Sequence, residues 1–473
     1  MPVVTLLSDG ESPVSLFHRL SQTADIGFLL ESSDGDSRLA RYSFLGVNPV
    51  MTVTFEKGLA VVTGPDGETV RPFDNPLQCL KTLSAEVADR FAPAPGFEHL
   101  PFLGGWVGYM GYAATHYFDN IPKQGADPYG VPEGYWGLYD TFMVFDHLYR
   151  RIHLISHAGE AALEALLAQL RTPGESLPPI VMDPLPDAAI FENVTSTFDE
   201  AGFADLVRQC QQYVQEGQVF QIVPSHRFSL PVTAPPINMY RLVQAVNPSP
   251  YAYCFKFPGF YYLGSSPETL LSCHGGKATL RALAGTRHRG ATAEEDAQLA
   301  DELIHHEKEL AEHHMLVDLE RNDLGRVCQV GSIRVGPVAT LLRYTHVMHL
   351  STDVSGTLRP DMTVYEAAQS CFPRGTLSGA PKIRAMQLLA ELEPEQRGIY
   401  SGLVGYFDYR GGMDSAIAIR SVLVKDGVAS VNAGAGVVYD SDPVAEYQET
   451  RNKAKSMLNA VQMAERQVCP ASF

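Results

Sequence analysis

Residues 403–439, LVGYFDYRGGMDSAIAIRSVLVKDGVASVNAGAGVVY, read as three strand-like runs: GLVGYFDY, DSAIAIRSVLV and VASVNAGAGVVY. A last helix follows, which Asp442 can cap and Pro443 can begin. Working toward the N-terminus, Ala293 to Leu324 reads as one long helix, with apolar residues at Leu299, Leu303, Leu310, Leu316 and Leu319. Before it, FKFPGFYYLGSSPETLLSCHGGKATLRALAG is hairpin-like and QVFQIVPSHRFSL is β-like, while FDEAGFADLVRQCQQYVQEG is helical. GFLLES, RYSFLGV, VMTVTFEKGLAVVTG and TFMVFDHLYRRIHLIS make the first part strand-rich, with one clear helix from Glu160 to Arg171. Long antiparallel sheets with a few large helices define an α+β chain.

The main break in composition is RTPGESLPPIVMDPLPDAA, with five prolines from Pro173 to Pro186. Proline removes backbone donors and fixes φ, so this stretch can be neither helix nor central strand. It divides the chain into a two-part arrangement, residues 1–190 and 191–473.

With 473 residues, 45% of them hydrophobic, the chain can bury a real core. Thirty-six Lys plus Arg against fifty-four Asp plus Glu leave a net charge of -18. That balance argues against nucleic acid and anionic membrane surfaces as partners, so an anionic ligand needs a local site. MPVVTLLSDGESP lacks the features of a signal or transit peptide, and no apolar run approaches the roughly 20 residues of a membrane span. Seven cysteines without a Cys-x-x-Cys pair suggest a reducing, cytoplasmic setting.

Glu309 and Glu312 share one face of the long helix, and Glu446 and Glu449 repeat the spacing on the last helix. Each pair alone reads as a solvated face. Brought together, they would repel unless a hard cation joined them, and oxygen-only ligands suit magnesium. Gly434-Ala435-Gly436 can turn backbone N–H groups toward a carboxylate, or be a plain tight turn. His305, His306, His313 and His314 do not bracket a glutamate at i,i+4, so the zinc-protease pattern fails and they read as surface or packing residues. Neither a nucleophile elbow nor a P-loop occurs. The residues themselves thus support a magnesium-assisted enzyme acting on a small carboxylate.

The wording of the second half resembles the chorismate-utilising enzymes, most closely their anthranilate-forming branch. The phrases that carry it are GQVFQIVPSHRF, NPSPYAY, LGSSPETL, LAGTRHRG, ELAEHHMLVDLERNDLGRV, THVMHL, GTLSGAPKIRAM, IYSGLVGYF, AIAIRS and NAGAGVVYDSDPVAEYQETRNKA, in order from about residue 205 to 460. GFLLES, RYSFLG and GGWVGYMGY extend the likeness into the N-terminal part. The resemblance implies large antiparallel sheets packed as a sandwich and flanked by helices, with a regulatory part over 1–190 and a catalytic part over 191–473.

The resemblance also implies roles. Water-adding relatives carry a lysine where this chain has Gln221, which cannot act as a base, whereas ammonia needs no activation. Aminodeoxychorismate synthases commonly carry a lysine nucleophile at the position of Ala284, where alanine leaves space for ammonia. Glu268 would be the general acid, His349 would serve pyruvate elimination, and Thr376 joins the catalytic set. Substrate would lie near Gly285, Thr286, Tyr400, Arg420 and the Gly434, Ala435 and Gly436 amides, Arg420 offering a bidentate fork. Magnesium falls on Glu312 and Glu449, with Glu309 and Glu446 holding bound water. A tryptophan inhibitor pocket is implied at Leu30, Glu31 and Ser32, completed by Pro250, Tyr251 and Ala252; Ala252 departs from the methionine of several relatives. A separate glutamine amidotransferase subunit would supply ammonia, making a hetero-oligomer. The competing readings are an aminodeoxychorismate synthase of the para-aminobenzoate pathway and a catalytically silent tryptophan sensor. LLES and Ala284 argue against the first, the intact glutamates against the second.

Overall fold

The computed structural model describes residues 1–32, 41–172, 174–344 and 347–468. Pro173, Thr345 and His346 of THVMHL, and Cys469 lie outside the described residues. Two large sheets form the interior, and every pair in them is antiparallel. The first has eleven strands; its centre runs Tyr42–Val47, Gly27–Glu31, Tyr251–Phe257, Phe260–Ser266, Ser421–Lys425, Val428–Gly434. The second has twelve; its centre runs Val347–Thr357, Lys277–His288, Thr269–His274, Met413–Ile417, Leu403–Asp408, Gly105–Met110, Gly134–Tyr139. Both sheets take strands from either side of residue 190, so the proline-rich stretch divides the sequence without dividing the sheets.

Side-chain alternation makes the layers. Val404 and Tyr406 join Phe28, Phe44, Phe102, Tyr109 and Tyr253 between the sheets, while Leu403 and Phe407 of the same strand face the opposite way. Outside the second sheet, helices Pro76–Glu86, Glu307–Gly325 and Val364–Cys371 cover one apolar face. Outside the first, Pro13–Ser21, Glu160–Arg171, Pro236–Val246 and Pro443–Val468 cover the other. The expected α+β sandwich is therefore a four-layer arrangement of helices, sheet, sheet and helices. Among the described residues no helix is long and apolar enough to cross a membrane.

Three local expectations change. The long helix is two, Ala293–His305 and Glu307–Gly325, because His306 adopts an extended backbone (φ -75°, ψ 106°) and its ring accepts the Glu309 N–H as a new N-cap. DSAIAIRSVLV is two strands in different sheets, since Arg420 takes a left-handed φ of 50° between them. FKFPGFYYLGSSPETLLSCHGGKATLRALAG is likewise two hairpins, one per sheet, interrupted at Pro267-Glu268. The last helix begins at Pro443 as expected, with the Asp442 carboxylate accepting the Ala445 N–H at 2.8 Å.

Candidate functional site

Two of the places where the chain passes from one sheet to the other lie side by side. Glu268 occupies one and Arg420 the other. The Ile417 N–H donates to the Glu268 carbonyl, and the Ser265 N–H to the Arg420 carbonyl, both at 3.0 Å. Side chains at such crossings belong to neither packed face, which frees them for a cleft at the end of the sandwich. Arg420 Nη1 donates to the Lys453 carbonyl at 2.5 Å, tying this crossing to the last helix. Its charge acts on His349, Tyr400 and Glu449.

Glu268 is 8% exposed, and burial raises its pKa above the usual carboxylate range. Thr376 Oγ1 donates to Glu268 Oε1 at 2.8 Å, and the Arg374 and Lys453 charges oppose the rise. A carboxyl whose pKa is raised beside polar groups is suited to give a proton to a leaving group.

His349 pairs with Thr286 across two strands, beside a bulge at Gly285 where the register shifts between Ala284 and Thr286. Its Nδ1 lies 3.0 Å from the Gly285 carbonyl and 3.0 Å from Thr286 Oγ1. A carbonyl only accepts, so Nδ1 carries the proton and Nε2 keeps its lone pair. Burial lowers the His349 pKa, keeping the ring neutral. Gly285 has φ +64°, and a Cβ there would come within 2.8 Å of Leu303 Cδ1 and 3.1 Å of Glu309 Oε2. Glycine is thus required where the strand approaches the Glu309 carboxylate. At Gly434 a Cβ would meet the Pro224 carbonyl at 2.8 Å and the Tyr400 hydroxyl oxygen at 3.4 Å; at Gly436 it would meet Gln221 Nε2 at 2.9 Å. Backbone from Gly434 to Gly436 therefore lines the cleft beside Tyr400 and Gln221, with Ala435 fully buried between them. Ala284 is buried on the strand carrying Gly285 and Thr286.

The four carboxylates line this cleft, each engaged by a neighbour. Gln221 Nε2 donates to Glu312 Oε1 at 3.0 Å, and Arg287 Nη1 to Glu309 Oε1 at 3.2 Å. Lys453 Nζ pairs with Glu449 Oε1 at 2.6 Å and donates to the Gly434 carbonyl at 3.1 Å. Burial raises the Glu446 pKa, opposed by a Ser441 hydrogen bond and reinforced by Glu449. Lys308 on the first glutamate-bearing helix pairs at 3.1 Å with Asp440, in the segment just before the second. Among the described residues no three His, Cys, Asp or Glu side chains form a ready-made metal cluster. Magnesium needs none, since one or two carboxylates, waters and the ligand's own oxygens complete its shell, and this all-oxygen donor set fits it.

The expected inhibitor residues gather elsewhere, around a small cavity of about 50 Å³ between the sheets, lined by all six and by Tyr42, Phe44, Tyr406 and Asp414. Leu30 and Tyr251 belong to the aromatic inter-sheet core. Glu31 points the other way: its carboxylate accepts from Tyr240 Oη at 2.7 Å and Gln244 Nε2 at 3.1 Å on helix Pro236–Val246, and burial raises its pKa. Ala252, paired with Glu31, packs its side chain into the same helix-side core. Among the described residues, Ser32 Oγ and Tyr406 Oη are buried without a hydrogen-bond partner. At the pocket wall Tyr251 Oη donates to Asp414 Oδ1 at 3.0 Å, and burial pushes the Asp414 pKa up to about 7.

In the sequence Arg287 and Arg374 stand out only as basic residues beside the small turns Ala284-Gly285-Thr286 and Gly375-Thr376, and Lys453 is missed. Lys453 could have been found, since it stands at i,i+4 from Glu449 on one helix face; the other two are placed by tertiary contacts.

A sequence profile of the chorismate-binding enzymes matches residues 27–459. The chain belongs to that family. Among chorismate-binding enzymes, it is 39% identical over 470 residues to anthranilate synthase component 1 of Acetivibrio thermocellus, covering 97% of this chain and 94% of the relative. It is 41% identical over 472 residues to the component 1 protein of Streptomyces coelicolor, covering 97% and 88%. Its fold superposes with a TM-score of 0.79 on anthranilate synthase component I from Streptococcus pneumoniae, at 36% identity over 96% of this chain and 99% of that one. The menaquinone-specific isochorismate synthase of Escherichia coli shares the fold at a TM-score of 0.71, with 20% identity over 97% of this chain and 94% of that one.

Proposed function

We propose that the chain is component I of an anthranilate synthase, converting chorismate and ammonia to anthranilate and pyruvate in tryptophan biosynthesis. One observation carries the reading: a buried Glu268 with a raised pKa stands near a neutral His349, while Gln221 and Ala284 stand where water-adding and 4-aminating relatives use lysine.

Glu268, held by Thr376, gives its proton to the C4 hydroxyl, which departs as water while ammonia adds at C2. Gln221 offers no base to water, and its amide orients Glu312 instead. His349 Nε2 then accepts the C2 proton, whose electron pair completes the aromatic ring as the C3–O bond breaks, and the released enolpyruvate takes up a proton to become pyruvate. Arg420, Tyr400, Thr286 and the Gly434–Gly436 backbone face the carboxylate remote from the glutamates. Glu312 and Glu449, with Glu309 and Glu446 behind them, would hold magnesium, which when bound neutralises the ring carboxylate. Gln221 and Lys453, which now occupy Glu312 and Glu449, would swing aside.

The cavity between the sheets would widen to take tryptophan as feedback inhibitor, with Leu30, Ser32, Tyr251 and Tyr406 against the indole and its polar groups. A glutamine amidotransferase subunit, the component II that the relatives' names imply, would supply ammonia, and the pair would act in the cytoplasm. The test is an assay with chorismate and magnesium, with ammonium alone or with glutamine, and with or without a component II subunit. Anthranilate fluorescence is expected with ammonium alone, and with glutamine only when the second subunit is present. Formation of a 4-amino product instead would transfer the chain to the para-aminobenzoate branch.

A further inference from the structure

Behind Glu268 lies a second buried carboxylate. Glu320, on helix Glu307–Gly325, is 3% exposed and accepts from Arg374 Nη2; Arg374 is 2% exposed and also donates from Nη2 to the Arg281 carbonyl at 3.3 Å. Arg374 directly precedes Gly375 and Thr376, the residue whose hydroxyl binds Glu268. Arg374 Nη1 and Glu320 Oε2 are both buried and make no hydrogen bond among the described residues. Two carboxylates therefore face one cation, with one donor and one acceptor left over.

We infer that Glu268, Arg374 and Glu320 form a buried unit that holds a single proton, and that the Arg374–Glu320 ion pair positions that proton on Glu268. With both carboxylates ionised the unit would carry a net negative charge out of contact with water, which burial disfavours. With one protonated it is neutral. Glu320 takes the direct hydrogen bond from Arg374 and so is the ionised member; Glu268, whose direct side-chain partner is the neutral Thr376, keeps the proton. When Glu268 gives the proton to the leaving hydroxyl, Arg374 Nη1 is the donor available to the new carboxylate.

The charged and titratable groups around the unit are few. Lys453 faces Glu268 but is paired to Glu449 at 2.6 Å. Asp323, one turn from Glu320, is paired to Lys382 at 2.9 Å, and Cys371 lies beside Arg374. Burial raises the pKa of both carboxylates, so they compete for one proton as a coupled pair.

This inference rests on Glu268 being the general acid, and the test separates the two. In Glu320→Gln, Arg374 loses its counter-ion and Glu268 becomes the carboxylate it stabilises. The alkaline limb of the kcat/KM pH profile should then move down by about one unit, a roughly tenfold loss above that limb with less change below it. In Arg374→Met the cation is gone and the same limb should move up. Glu320→Asp keeps the charge and should restore the parent profile. A purely structural role would lower activity at every pH and leave the limb in place, and that result would overturn the inference. Should the single variants fail to fold, Arg374→Met with Glu320→Leu replaces the ion pair by apolar bulk, a change buried pairs tolerate. Its limb should also move up, and an unmoved limb there counts equally against the unit. Full activity in Glu268→Gln would instead remove Glu268 as the acid and leave the function to be reassigned.

Discussion

The cleft at the sheet crossings and the pocket between the sheets occupy the same sandwich, yet they are made of opposite materials. The cleft collects Glu268, Arg420, Lys453 and four further glutamates, bound to one another and to backbone carbonyls. The pocket is walled by aromatic rings, and Asp414, the one carboxylate turned toward it among the described residues, is met by a tyrosine hydroxyl rather than a cation. A dicarboxylate needs opposing charges and amides, whereas an amino acid with an aromatic body needs apolar walls and a few unsatisfied polar atoms. They are nonetheless adjacent: Tyr251 Oη shares a hydrogen bond of 2.9 Å with Thr269 Oγ1, next in sequence to Glu268. One strand-to-strand crossing thus serves both.

That contrast can be broken by substitution. The largest effect is expected for Glu268→Gln, which should lower anthranilate formation by about 10²–10⁴-fold while calorimetry shows tryptophan binding unchanged. Loss of both would mean the two regions are one site. His349→Met should cost less, roughly 10²-fold in pyruvate release, with the C2-amino intermediate accumulating in a chromatographic assay. Unchanged anthranilate production there would remove His349 from the mechanism.

Asp414→Asn probes the pocket through stability. In the folded protein the Asp414 pKa is near 7, against 3.8 ordinarily. Below pH 4 both states hold the proton; as pH rises from 4 through 7 the unfolded chain ionises first, and the folded protein loses stability. The asparagine variant should therefore melt higher than the parent at pH 8, by a margin that closes toward pH 4. A margin independent of pH would mean Asp414 is not the titrating group. The smallest effect is expected from Ser32→Ala. Its unpartnered hydroxyl should be worth about 1 kcal/mol to a bound ligand, so tryptophan affinity should fall roughly fivefold with the uninhibited rate intact.

Much of this was legible in the sequence because alternation and capping are local. The strands of residues 403–439, the Asp442 cap and the glutamate spacings follow from neighbours within a few positions. Sheet membership does not: period-2 alternation tells which residues share a face, but not that DSAIAIRSVLV changes sheets at Arg420. The same limit hid the direction of Glu31, which reads as a pocket residue beside Leu30 and Ser32 until the alternation places it against Tyr240. Arg374 and Glu320 lie 54 positions apart and meet only in the folded chain. The cleft was named through its phrases, while its electrostatics became visible only when those phrases were brought together.

The central claim is amination at C2 of chorismate in the cleft of Glu268 and His349. It is tested most directly by incubating the protein with chorismate, magnesium and ¹⁵N-ammonium and identifying the labelled product by mass spectrometry. Labelled anthranilate with an equal amount of pyruvate is the predicted result. A labelled 4-amino product, or unlabelled isochorismate, would contradict it.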